Sequence, residues 1–160
     1  MADKSGYGFL LRNMDPVKFI NFISNHKISI SFLYSSETFD YIISTAGSYH
    51  AGSSSENKNE LQTFIDEYFS WNPASPIAAI MNHELQCKLF VDYSKQIAAN
   101  VPSAVLYTTN YPWEMTLNDK KMTKRSLRSM VDKYANELGI PKEDIGYWTL
   151  SYRYFDRDKR

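Results

Sequence analysis

The sequence predicts an α+β fold: a single globular domain over residues 1–160, built as a small, mostly antiparallel sheet of about four strands packed by four to five helices. Three observations predict it. Runs of period two, at 28–34 and again from Trp148 to Tyr154, mark strands with one apolar face. Stripes of helical period, such as Phe19, Ile20 and Ile23, mark helices that bury one side. Finally, several strand runs lack the helical crossover that parallel neighbours require.

Gly6-Tyr7-Gly8-Phe9-Leu10-Leu11-Arg12 reads as the first strand. Asp15-Pro16 opens the first helix, because Asp accepts from free N–H groups and proline suits the first helical position. Ile28, Ile30, Phe32 and Tyr34 alternate with serines and predict a half-buried strand. Ser36 is placed to cap a short helix through Phe39, Ile42, Ile43 and Ala46, closed by Gly47. Residues 47–58, rich in serine and glycine, have the composition of a flexible loop.

Asn57 and Glu60 stand at capping-box spacing before a stripe of Leu61, Phe64, Ile65 and Tyr68. Asn72-Pro73 breaks that helix and Ser75-Pro76 starts the next. From Ile77 to Ala99 there is neither Gly nor Pro, which predicts one long helix; a strand at Lys88–Tyr93 competes with it, since Leu89-Phe90-Val91 is β-prone. Ala104–Thr109 reads as a strand and Tyr111-Pro112-Trp113 as a turn. Thr123 caps a helix whose stripe is Leu127, Met130, Val131, Tyr134 and Leu138, ended by Gly139 and Pro141. Trp148, Leu150, Tyr152 and Tyr154 form the last strand, and residues 156–160 a frayed tail.

Composition bounds the function. The lone cysteine, Cys87, has no internal disulfide partner, which fits a reducing compartment. The N-terminus lacks a signal-peptide pattern, and no apolar run approaches the roughly 18 residues of a membrane span. The expected location is therefore the cytoplasm, away from membranes. Net charge is zero but polarised: residues 1–114 carry 11 acidic and 7 basic side chains, residues 115–160 carry 7 and 11. Such polarity bears on partners rather than on fold.

No catalytic constellation stands out. His83 and Cys87 are four apart, but no second His or Cys cluster completes a metal site. His50 lies among Ser48, Ser53 and Ser54 without a nucleophile elbow. Gly6 and Gly8 lack the third glycine and following helix of a dinucleotide site. The expectation is a protein without catalytic residues, metal or small-molecule cofactor.

The strongest lead is a basic helix start. Lys120, Lys121, Thr123, Lys124, Arg125 and Arg128 crowd the end of a helix that ordinarily attracts acids. Such an end suits an anion or an acidic partner. Tyr152, Arg153 and Tyr154 add basic and aromatic groups on the last strand, a composition that suits a protein hot spot or stacked bases. The leading reading is a non-catalytic protein-interaction domain. A coherent role is that of a small inhibitor of a nucleic-acid-handling complex, a nuclease or defence assembly, as carried by phages and mobile elements. Its partner would be a protein or a nucleoprotein complex. Direct DNA or RNA binding through the basic helix start and the last strand is the alternative, although Asp156, Asp158 and a pI near neutrality weigh against it. A third reading is an enzyme centred on His83 and Cys87.

Overall fold

The computed structural model describes residues 4–50, 55–69, 72–85, 90–92, 103–107, 124–151 and 154–157. Helix and strand are mixed, as expected. In chain order the elements are β1 (Lys4–Leu10), α1 (Pro16–Asn25), α2 (Lys27–Ile30), α3 (Ser36–His50), α4 (Ser55–Tyr68), α5 (Ala74–Leu85), β2 (Phe90–Asp92), β3 (Ala104–Tyr107), α6 (Lys124–Glu137), a 3-10 turn (Lys142–Asp144), β4 (Ile145–Ser151) and β5 (Tyr154–Arg157). The strands form one antiparallel sheet in the order β2-β3-β1-β4-β5, so its centre is β3-β1-β4 and its edges are short. The expected four strands are five here: the run at 28–34 is helix and turn, residues 90–92 add a strand, and the last run divides into two.

β1 takes the centre, with Phe9 opposite both Val105 and Ile145. Phe9 and Val105 face the helices, where they join the main core with Phe19, Phe22, Ile23, Ile42, Leu61, Ile65, Ile77 and Val131. Leu10, Ala104, Leu106 and Trp148 form a second, smaller buried cluster, so both sheet faces carry apolar side chains.

α1 begins as expected: the Asp15 carboxylate accepts from the Val17 and Lys18 amides, with Pro16 at the first helical position. α6 ends as expected too. Gly139 adopts φ 72°, its N–H donates to the Asn136 carbonyl, and the Ile140 N–H donates to the Ala135 carbonyl. These are the two bonds of a Schellman motif, which glycine completes without strain. The buried stripe of α6, Leu127, Val131, Tyr134 and Leu138, also matches expectation.

Several elements differ from the sequence pattern. Residues 28–34 are not a strand: α2 and a following turn satisfy their backbone locally, with Ile30 N–H donating to the His26 carbonyl and the Leu33 and Tyr34 amides to the Ile30 carbonyl. Only Ile30 of the alternating set is fully buried, while Ile28 and Phe32 face solvent. The cap of α3 is Ser35, whose Oγ accepts from the Thr38 amide, and the helix runs through Gly47 to His50. Ser44 and Ser48 return their hydroxyl protons to the Asp40 and Thr45 carbonyls, so these polar side chains are satisfied on the helix itself.

The predicted loop 47–58 is therefore helical at both ends, and Asn57 lies inside α4 rather than capping it. The Leu61–Tyr68 stripe holds, with Leu61 and Ile65 buried. α5 stops at Leu85 and residues 90–92 pair with β3, so the β-prone Phe90-Val91 prevails over the absence of helix breakers. The last predicted strand is instead a hairpin: Ser151 pairs with Tyr154 and Leu150 with Phe155. Asp156 and Arg157 belong to β5 rather than to a frayed tail.

Candidate functional site

The basic helix start falls partly within the described residues. Lys120, Lys121 and Thr123 lie outside them, as do Tyr152 and Arg153. The side chains of Lys124 and of Tyr154, at the start of β5, also lie outside the description. Arg125 is exposed on the first turn of α6, which holds no acidic residue. Arg128 turns instead toward the sheet. Its Nη1 donates to the Tyr147 hydroxyl at 3.0 Å, and its guanidinium carbon lies 5.8 Å from the centre of that ring. Among the described residues its buried Nε has no hydrogen-bond partner.

Tyr147 meets Tyr7 edge-on at 5.1 Å, and the Tyr7 hydroxyl donates to Asp132 Oδ1 at 2.5 Å. Burial, then the hydrogen bond and charge of Asp132, raise the Tyr7 phenol well above its ordinary range. The sequence groups Arg125 and Arg128 in one basic helix start. The structure uses Arg128 to lock α6 onto β4, which leaves Arg125 as the described cation of that end in open solvent.

A second constellation was invisible in the sequence. His26, at the corner between α1 and α2, directs Nδ1 to Glu84 Oε2 at 2.6 Å and Nε2 to Glu137 Oε1 at 2.9 Å. Glu84 also accepts from Ser29 Oγ at 2.6 Å and Tyr134 OH at 2.8 Å. Burial opposes ionisation of Glu84, but the bonds from Ser29, His26 and Tyr134 outweigh it and hold the carboxyl below its ordinary range. With both ring nitrogens engaged by carboxylates, His26 has no free nitrogen to act as general base in this arrangement. The cluster joins α1, α2, α5 and α6. His26 stands 58 residues from Glu84 and 111 from Glu137, so no local spacing announces it.

The third feature is an exposed apolar surface. Ile28 is 84% exposed, Phe32 62% and Leu33 44%, all on α2 and its following turn. Phe32 rests against the His83 ring at 5.3 Å. On the buried side of the same segment, Ile30 fills the core and Ser29 bonds Glu84. His83 is thus a neighbour of the apolar surface, while Cys87 lies outside the described residues. Among the described residues no group of three or more His, Cys, Asp or Glu side chains is placed to hold a metal ion. No described helix is long and apolar enough to cross a membrane.

No protein-family model matches the chain, nor does any curated protein or solved structure.

Proposed function

We propose that this protein is a non-catalytic interaction module that docks a protein partner on the surface formed by Ile28, Phe32 and Leu33. One observation carries the reading. Three large apolar side chains stand in solvent within six residues, on a segment whose other side is pinned by Ile30 and Ser29. Contiguous apolar side chains held in water by an ordered backbone mark interaction sites more often than ordinary surface. Pre-organisation lowers the ordering cost that binding would otherwise incur.

Within this reading the charge polarity, −4 over residues 1–114 and +4 over 115–160, favours a partner that handles nucleic acid. The protein would act there as an inhibitor by occupying a surface. Arg125, with the neighbouring cations at 120, 121 and 124, would supply the second contact. The test is affinity capture from a lysate of the source cells at near-physiological salt, with wild-type protein beside Ile28→Asp/Phe32→Asp. Wild type should retain a partner that the variant loses. Salt-steep binding to DNA or RNA, undiminished in the variant, supports the nucleic-acid reading instead.

A further inference from the structure

We infer that His26 is a proton-operated clamp that fixes the seating of α2, and with it the apolar surface that α2 presents. The inference rests on the interaction reading for its purpose, while the clamp itself is argued from geometry alone.

Both imidazole nitrogens face carboxylate oxygens, Nδ1 at 2.6 Å from Glu84 and Nε2 at 2.9 Å from Glu137. A carboxylate only accepts, and only the imidazolium has two N–H donors. The arrangement is therefore complete in the charged form. Neutral imidazole has one donor and one lone pair, so one of the two carboxylates then faces a lone pair and that tie is lost.

Glu84 also receives Ser29 and Tyr134, which keeps it in place as a receptor for the remaining proton. Glu137 is the more exposed of the two, and among the described residues no second side-chain bond to it compensates. The tie to α6 is thus the one released. Among the described residues, the ionisable groups facing His26 are Glu84 on α5 and Tyr134 and Glu137 on α6. Lys27, its neighbour in sequence, is directed to the Phe39 ring, and His83 to Phe32.

The mechanical link is short. The His26 carbonyl accepts from the Ile30 amide, and the Ile30 carbonyl accepts from Leu33 and Tyr34. Losing the tie at His26 loosens the first hydrogen bond of a four-residue helix, which has little cooperativity of its own. Imidazole changes charge between about pH 5 and 8, within reach of ordinary cellular shifts. The clamp is closed while the ring is protonated and both carboxylates are ionised, and loss of the ring proton as pH rises opens it.

Amide hydrogen exchange tests this without any partner, so its failure is separable from failure of the interaction reading. Protection of Ile30, Leu33 and Tyr34, corrected for the intrinsic pH dependence of exchange, should fall several-fold between pH 5.5 and 8.5 in wild type. It should be flat in His26→Gln and still fall in His83→Gln. Glu137→Gln keeps the imidazole and serves if His26→Gln does not fold. A side-chain amide can offer oxygen to the imidazolium or nitrogen to the neutral ring, so this variant should also be flat. Protection in wild type that does not change with pH, or an equal fall in Glu137→Gln, overturns the inference.

Discussion

Arg12 reaches back across 132 residues of sequence to place Nε 2.9 Å and Nη2 2.6 Å from Asp144 Oδ1, a carboxylate that has no solvent exposure of its own. Asn13 takes the other oxygen at 2.9 Å, and the Asp144 carbonyl accepts from the indole of Trp148. The pair fastens the loop after β1 to the entry of β4. Among the described side chains, removing Arg12 leaves the buried carboxylate with Asn13 as its partner. Arg12→Ala should therefore lose about 1–3 kcal/mol, because an under-satisfied buried acceptor keeps its desolvation cost. Adding Asp144→Asn to it should cost less than the two single changes together. Urea denaturation of the four proteins checks both statements.

Glycines 8 and 47 should respond in opposite directions to the same substitution. A Cβ on Gly8 would stand 1.9 Å from the Val105 carbonyl oxygen, a backbone atom that cannot move without parting β1 from β3. Gly8→Ala should destabilise by about 1–3 kcal/mol or prevent folding. Gly47 lies within α3 with nothing inside 4 Å of such a Cβ. Gly47→Ala should stabilise by about 0.5–1 kcal/mol, since glycine is the weaker helix former. Thermal melts separate the two.

Glu84 sets part of the acid limb of stability. Its folded-state pKa is lowered from 4.5, so its contribution is fully present above the ordinary glutamate value and fades as pH falls toward the lowered one. Stability measured from pH 7 to pH 3 should drop more steeply in wild type than in Glu84→Gln below pH 4.5. Parallel curves would mean that Ser29, His26 and Tyr134 do not favour the ionised carboxyl.

The start of α6 is electrostatically unfavourable in the free protein. Its first turn has Lys124 and Arg125 and no acid, at the end where the helix dipole is positive. Lys124→Glu/Arg125→Glu should raise the melting temperature at low ionic strength, for a gain of a few tenths of a kcal/mol and up to ~1. Arg128 is left intact because it anchors Tyr147. A lower melting temperature in the double variant would show that the cations are compensated where they stand.

Local chemistry was the legible part of this chain. Asp15-Pro16 and Gly139 are caps whose bonds close within five residues, and the Leu127–Leu138 stripe has one period only, so sequence and structure agree there. Ile-Ser-Ile-Ser-Phe at 28–32 fits period two, yet its serines found other uses. Ser31 bonds the Ile28 carbonyl, and Ser29 bonds a carboxylate 55 residues away. The serines after Gly47 signalled a loop for the same reason, whereas Ser48 is satisfied inside α3.

His26 carried no local sign at all. Its partners come from α5 and α6, and only the packing of four helices brings them together. Arg128 was singled out by charge, but its direction was set by Tyr147, a residue of β4 that no helical spacing relates to it.

The central claim is that the solvent-facing side of α2 is a protein-binding surface, and affinity capture with Ile28→Asp/Phe32→Asp tests it most directly. Both side chains stand mostly in solvent, 84% and 62% exposed, so the variant should melt within about 0.5 kcal/mol of wild type. It should lose the partner that wild type retains at near-physiological salt. A variant that melts like wild type and captures the same partner in the same amount contradicts the claim, as does a wild-type protein that captures none.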